Sequence, residues 1–258
     1  MQIGDTILEP VSDGRLLARP TNLYTNPEGD WLPHSRFLDE RGLVEMEMGG
    51  FLVRTGDRVV LVDTGIGPHS IPRRTGMFME SLAGRGVAAA DVTDVVLTHL
   101  HFDHVGWATR HGEVVFQNAT YRCDARDWAH FVGPDPGATK KLRPLESRLD
   151  LWDGSGRLLP GIDTMAAPGH TPGSTVLVLS SGTQRAMLLG DVVHCPVELI
   201  DDEWAGMADV DPDLALRTRI ALARELEGTD TPIAAAHFPG LRFGRLLPGE
   251  GRRSWVIG

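Results

Sequence analysis

Three apolar runs in this chain lead into residues of the metal-ligand type. Val92 to Thr98 runs into His99, Arg185 to Leu189 leads through Gly190 to Asp191, and Pro232 to Ala236 stops at His237. Short apolar runs bounded by turn residues read as buried strands. Side chains at the ends of strands in a rigid sheet can converge on one point. The fold must therefore bring strand ends that are far apart in sequence to one place.

The rest of the chain supplies the other layers. Val44 to Met48 alternates and Phe51 to Arg54 follows; Thr55-Gly56-Asp57 is a turn signal before the β-branched run Arg58 to Val62. This predicts a hairpin ending at Asp63-Thr64-Gly65. Ile162 to Ala166 and Thr175 to Leu179 are further strand candidates. Residues 76–84 read as a helix closed by Gly84 or Gly86. Residues 124–131 read as a short helix capped by Asp124. Asp211-Pro212 starts a helix through about Glu227, with Asp at the cap and Pro in the first turn. The class is α/β, with two sheets and helices outside them.

No internal repeat or low-complexity linker divides the chain, which reads as one domain over residues 1–258. Residues 16–42, rich in Pro, Asn, Asp and Gly and carrying Tyr24, Trp31 and Phe37, read as an irregular N-terminal loop, either a lid or a packed extension.

A formal net charge of -10 and a pI near 5.4 do not suit phosphate-backbone binding, which needs clustered cations. The short run Lys140, Lys141 and Arg143 reads as a solvated loop face. The expectation is no nucleic-acid partner. Two cysteines, Cys123 and Cys195, are too few for a disulfide framework, and Cys195 reads as a small buried apolar residue. Met1 to Pro10 has no signal-peptide pattern, and no stretch approaches the ~20 apolar residues of a membrane span. A cytoplasmic protein is expected.

The densest chemistry lies in Thr98-His99-Leu100-His101-Phe102-Asp103-His104. In an extended segment, side chains two apart share a side, so His99 and His101 can chelate one ion. Asp103 and His104 are adjacent and can serve a second. Outlying candidates are His170, in the turn Ala167-Pro168-Gly169-His170-Thr171-Pro172-Gly173, then Asp191, whose carboxylate could bridge two ions, and His237. His34, His69, His111 and His130 have no such setting and read as surface or loop histidines.

These motifs, in this order, resemble the metallo-β-lactamase superfamily from about residue 43 to 240. The matching features are Asp63 in Val62-Asp63-Thr64-Gly65, the His-x-His-x-Asp-His cluster, His170, Asp191 and His237. The resemblance implies a four-layer αβ/βα sandwich with the site at one edge of the sheets. It assigns His99, His101 and His170 to one metal, and Asp103, His104 and His237 to another. Asp191 would bridge them, and Asp63 would support the ligands. Asp191 argues against β-lactams as substrates, since the β-lactamases of similar cluster type lack it. Gly190-Asp191-Val192-Val193-His194 and Ala236-His237-Phe238-Pro239-Gly240 resemble methyl parathion hydrolase and its lactonase-like relatives. Many homoserine lactonases carry Tyr three positions after the bridging Asp, where this chain has His194.

Two such ions about 3.5–4 Å apart would share a water and lower its pKa, giving a bridging hydroxide as nucleophile. The expected activity is hydrolysis of a small lactone or carboxylic ester, with phosphotriesters as a side activity. His194 is a candidate for substrate contact or proton donation, and Asp103 for accepting a proton. Phe102, Trp107, Phe238, Tyr24, Trp31 and Phe37 are candidates to line an apolar pocket. The nitrogen and oxygen donors suit two divalent ions, zinc first, with iron, cobalt, manganese or nickel also accommodated. One competing reading is a thioester hydrolase of the glyoxalase II kind. That reading calls for a helical C-terminal extension, and the segment after His237 holds no evident one. The other is a non-catalytic ligand-binding member of the fold, which would have lost a ligand. A homodimer is expected by analogy with relatives.

Overall fold

The computed structural model describes residues 1–68 and 75–258; His69 lies outside the described residues. The first half forms a seven-stranded sheet. Its strands begin with β1 (Gln2–Ile3), β2 (Thr6–Ala18), β3 (Val44–Thr55), β4 (Arg58–Val62) and β5 (Asp94–Val96). A small separate hairpin follows, β6 (Thr109–Arg110) with β7 (Glu113–Val114), and the sheet resumes with β8 (Thr120–Asp124) and β9 (Leu149–Trp152). The spatial order is β1-β2-β3-β4-β5-β8-β9, antiparallel as far as β4 and parallel beyond it.

The second sheet is laid down in chain order. It contains β10 (Gly156–Leu159), β11 (Ile162–Ala166), β12 (Thr175–Ser181), β13 (Gln184–Leu188), β14 (Ile233–Ala234), β15 (Gly244–Leu247) and β16 (Ser254–Ile257). Only β13 and β14 pair in parallel. Helices α1 (Phe78–Ala83), α2 (Ala125–Phe131), α3 (Pro136–Leu142), α4 (Val197–Ile200) and α5 (Pro212–Leu226) complete the chain.

Side-chain alternation makes the layers. Val60 and Val62 of β4 face the second sheet, where they join Leu177 and Leu179 of β12 and Ala186 and Leu188 of β13. Leu61 of β4 points the other way, into a cluster with Phe78 and Leu82 of α1 and Leu142 of α3. On the second sheet, Val176 and Met187 turn outward to meet Leu222, Ala223 and Leu226 of α5. Each central strand is thus buried on both faces, which is why it reads as a continuous apolar run. The result is a four-layer αβ/βα sandwich.

The helix caps follow their sequence signals. Asp124 accepts from Arg126 N, and Asp211 accepts from Leu214 N ahead of Pro212. Two apolar runs make less strand than they predict: β5 keeps only Asp94–Val96 and β14 only Ile233–Ala234. The residues that follow these strands, Leu97 and Thr98 in one run and Ala235 and Ala236 in the other, lead into the site. Thr98 N, for example, donates to the Asp63 carboxylate instead of to a strand.

Two expectations, for His34 and Lys141, are corrected, and the bounds of the N-terminal segment are revised. Residues 16–18 are the end of β2, paired with β3, because Leu16 and Leu17 continue its extended pattern. The rest of 16–42 contains two 3-10 segments, Pro20–Asn22 and Glu28–Phe37. They are pinned by a buried aromatic cluster in which Trp31 and Trp204 lie 4.7 Å apart, centroid to centroid, and Tyr24 and Trp204 5.4 Å apart. The segment is therefore a packed extension. His34 belongs to that cluster, buried against Trp204 and 3.7 Å from Asp201, and is no surface histidine. Lys141 is in the last turn of α3 and does not sit on a solvated loop face; its Nζ donates to the carbonyls of Gly106 and Thr109. After His237 the chain makes a turn and the strands β15 and β16. Among the described residues no helix is long and apolar enough to cross a membrane.

Candidate metal centre

The site lies where the chain leaves β4, β5, β11, β13 and β14, which supply Asp63, His99 to His104, His170, Asp191 and His237. Two glycines set the approach. Gly190 (φ +53) and Gly169 (φ +133) immediately precede Asp191 and His170. A Cβ on Gly190 would lie 2.9 Å from Thr98, and one on Gly169 would lie 2.3 Å from Ala215 N. Both the backbone conformation and the space are open to glycine alone.

Four imidazoles are oriented by what their Nδ1 meets. His104 Nδ1 donates to Asp63 Oδ2 at 2.9 Å, His170 Nδ1 to Asp209 Oδ1 at 2.9 Å, and His237 Nδ1 to the Glu47 carbonyl at 2.7 Å. These acceptors have no proton to give, so each Nδ1 must carry one. Thr98 spends its hydroxyl proton on Asp63 Oδ2 at 2.8 Å, leaving its oxygen to accept from His99 Nδ1 at 3.2 Å. In the neutral form of all four rings, Nε2 is therefore the nitrogen left to bind a cation.

Those nitrogens converge. His99 Nε2 and His170 Nε2 lie 3.1 and 2.9 Å from His101 Nδ1. One proton on His101 can relieve only one of those two contacts. His104 Nε2 lies 3.1 Å from Asp191 Oδ1, yet both atoms are buried without a hydrogen bond. His237 Nε2 is 3.1 Å from Asp191 Oδ2 and 3.5 Å from Asp103 Oδ2. Asp191 Oδ2 is also 3.7 Å from both His99 Nε2 and His170 Nε2. Two donor sets are His99 with His101 and His170, and Asp103 with His104, Asp191 and His237; a third grouping, His170 with Asp191 and His194, overlaps both. Asp191 faces both. Imidazole nitrogens and carboxylate oxygens packed this closely lack only positive charge between them, and two divalent cations fit that need.

The electrostatics agree. Burial, helped by neighbouring imidazoles, holds His99 well below the usual histidine range and lowers His101 to about 4, so both stay neutral. Burial works against ionising Asp191, but the surrounding His104, His237, His194 and His99 outweigh it and hold the carboxyl well below its usual range. At His104, burial is outweighed by Asp191 and Asp63, which draw positive charge to the ring. A cation would supply the same charge.

His194 stands beside this centre, its Nε2 3.5 Å from Asp191 Oδ2 and its ring 4.9 Å from that of His170. A cavity of about 370 Å³ opens over the donors, with Leu23, Met46, Phe102, Met207 and Ala208 among its walls. Phe102 is 71% exposed at its edge. A larger cavity, about 830 Å³, lies at Met1 to Ile3 and residues 240–245 and contains none of these donors; the chemistry belongs to the smaller one.

The other aromatic candidates lie elsewhere. Trp107 is buried in the core of the first sheet with its indole donating to Asp13. Phe238 packs on Trp255 under the second sheet. Tyr24 and Trp31 form the aromatic cluster behind the cavity wall, with Phe37 partly buried against it. Each of these rings is taken by packing. Cys195 is buried, as is Cys123.

Sequence reasoning missed three supports: Asp209 behind His170, Glu198 behind His194, and the Glu47 carbonyl behind His237. Glu198 leaves one trace, a carboxylate inside the apolar Pro196-Val197-Glu198-Leu199-Ile200. Asp209 and the Glu47 carbonyl leave none.

The chain belongs to the metallo-beta-lactamase superfamily, whose family model matches residues 50–237. Within it, the chain is a metallo-hydrolase. It is 25% identical over 234 residues to the N-acyl homoserine lactonase AiiA of Bacillus thuringiensis subsp. kurstaki, covering 82% of this chain and 90% of that one. Its fold matches that of AidC, a dizinc quorum-quenching lactonase in complex with a product, with a TM-score of 0.91 and 24% identity over 100% of this chain and 96% of that one. It also matches the hydrolase AbOPH, with a TM-score of 0.88 and 24% identity over 99% and 95% of the two chains.

Proposed function

We propose that this protein hydrolyses a lactone or another carboxylic ester, with His99, His101 and His170 holding one divalent ion, Asp103, His104 and His237 a second, and Asp191 between them. The observation that carries the reading is the pair of donor sets meeting at Asp191 beneath a half-apolar cavity. Zinc is the first choice of metal, since the donors are neutral imidazoles and carboxylates. Bound there, the ions supply an acidified water and polarise a carbonyl oxygen.

The protein's own groups do the rest. Leu23, Met46, Phe102, Met207 and Ala208 seat the apolar part of the substrate and exclude water. Asp103 is 14% exposed, unlike the buried Asp191, and can take the proton released as water adds to the carbonyl carbon. His194 lines the same cavity and can hydrogen-bond the carbonyl or protonate the leaving alkoxide. The lactonases among its relatives support the lactone class. Phosphotriesters are a secondary substrate class on this reading.

The test is a panel of N-acyl homoserine lactones, simple lactones, aryl esters and a phosphotriester, assayed with zinc-loaded protein and its His101→Ala variant. Lactone or ester turnover that depends on His101 is expected. Activity no higher than that of the variant on every member would defeat the reading.

A further inference from the structure

Arg219 is a buried cation on α5 that touches neither a donor nor the cavity. The neighbouring buried positions of that helix are Ala215, Leu222, Ala223 and Leu226. Burying a guanidinium among them costs desolvation that an apolar residue would avoid, so its contacts need explaining. Its Nε donates to the Val192 carbonyl at 2.9 Å and its Nη1 to the Trp204 carbonyl at 2.8 Å. Its Nη2 donates to Asp209 Oδ2 at 3.3 Å, and its Nε lies 3.3 Å from Glu198 Oε1.

Each of those carboxylates has a second task. Asp209 uses its other oxygen, Oδ1, to accept from His170 Nδ1. Glu198 Oε2 accepts from the backbone N–H groups of His194 and Cys195 and from the Tyr24 hydroxyl. Its Oε1 is buried without a hydrogen bond and faces both Arg219 and His194 Nδ1, the latter at 3.7 Å. The open acceptor Glu198 Oε1 favours a proton on His194 Nδ1, and Asp191 Oδ2, 3.5 Å from Nε2, favours one there too, so the ring is held to donate from both nitrogens. One guanidinium therefore stands behind two imidazoles on opposite sides of the centre.

We infer that Arg219 is a positioning residue for the metal centre, fixing through Asp209 the orientation of His170 and through Glu198 that of His194. The planar fork sets the spacing between the two carboxylates, which a lysine ammonium cannot do. The inference rests on the reading of His170 as a ligand given above; it does not depend on which ester is hydrolysed.

The test compares wild type with Arg219→Lys, Arg219→Met and Asp209→Asn. Zinc affinity is measured by chelator competition, and the Nδ1–H resonances of His170 and His194 are followed by NMR in zinc-loaded and zinc-free protein. Arg219→Lys is expected to fold, to lose about 10- to 100-fold in affinity for one of two zinc ions, and to shift both resonances. Asp209→Asn should shift that of His170 alone. A merely structural arginine would lower thermal stability and leave the resonances and affinity of folded variants at wild-type values; that result in Arg219→Lys overturns the inference. Should both arginine variants fail to fold, an unchanged His170 resonance in Asp209→Asn overturns it instead. Wild-type protein that binds no zinc would defeat the proposed function, while the zinc-free resonances would still report on Arg219.

Discussion

Replacing Asp63 by Asn tests how the centre is built. Asp63 Oδ1 accepts from Thr98 N at 2.8 Å, and Oδ2 accepts from both Thr98 Oγ1 at 2.8 Å and His104 Nδ1 at 2.9 Å. Asn keeps the volume and tolerates the φ of +60 found at this position. It keeps the Oδ1 bond but places an NH2 where Oδ2 stood. Two hydrogen bonds to a charged acceptor, each contributing about 1.5–3 kcal/mol, then face a donor. The cheapest relief is reversal. The Thr98 hydroxyl accepts from the amide and turns its proton towards His99 Nδ1, while His104 Nδ1 gives up its own. Both rings then carry their proton on Nε2, the atom that faces the cations. Restoring the ligand tautomer means paying back the two mismatched bonds, at least about 3 kcal/mol, which corresponds to roughly 100-fold or more in metal affinity at about 1.4 kcal/mol per tenfold. Chelator competition on Asp63→Asn should show that loss for at least one of two zinc ions, with far-UV circular dichroism unchanged. Two zinc ions bound within about 3-fold of wild-type affinity would refute the tautomer argument.

Three further outcomes follow from the same geometry. Burial would raise the Glu198 carboxyl, but Arg219, His194 and the Cys195 N–H outweigh it and bring it from 4.5 down to about 2. The stability this contributes, about 3 kcal/mol, is present above pH 4.5 and lost as pH falls through 2. In metal-free protein the urea stability gap between wild type and Glu198→Gln should therefore widen from pH 3 to pH 6; a gap independent of pH refutes it. Chelating the metals should lower the melting temperature, because cations that bind only the folded state stabilise it by mass action; calorimetry with and without excess zinc reads this, and an unchanged midpoint counts against two bound ions. Phe102→Ala should raise KM for long-chain substrates several-fold, with little change for short ones, about 1 kcal/mol of lost apolar contact; equal effects on both would remove Phe102 from the substrate path.

The candidate donors were legible because residues of the metal-ligand type leave a dense local trace. His99 to His104 fall within six positions, and Asp191 and His237 each follow an apolar run that the sheets bury on both faces. The supports were not legible, because one hydrogen bond to an imidazole needs only one acceptor and any segment can bring it. Asp209 comes from an irregular stretch, and the acceptor for His237 is a backbone carbonyl, which no side chain announces. Adjacency also misled. Trp107, three residues past His104, and Phe238, next to His237, lie close to candidate donors in sequence, yet chain neighbours of the site can turn into a layer of the sandwich, and these two do. Phe102 does not, because it lies between His101 and Asp103 in a segment outside any strand, so no layer claims its ring. The aromatic residues of the N-terminal segment shape the cavity at one remove. Their cluster holds Trp204, whose carbonyl binds Arg219, while the bridge from Tyr24 to Gly206 carries the backbone next to Met207 and Ala208 on the cavity wall. The segment that read as a loop or lid is thus tied to the centre through the same arginine that stands behind His170 and His194.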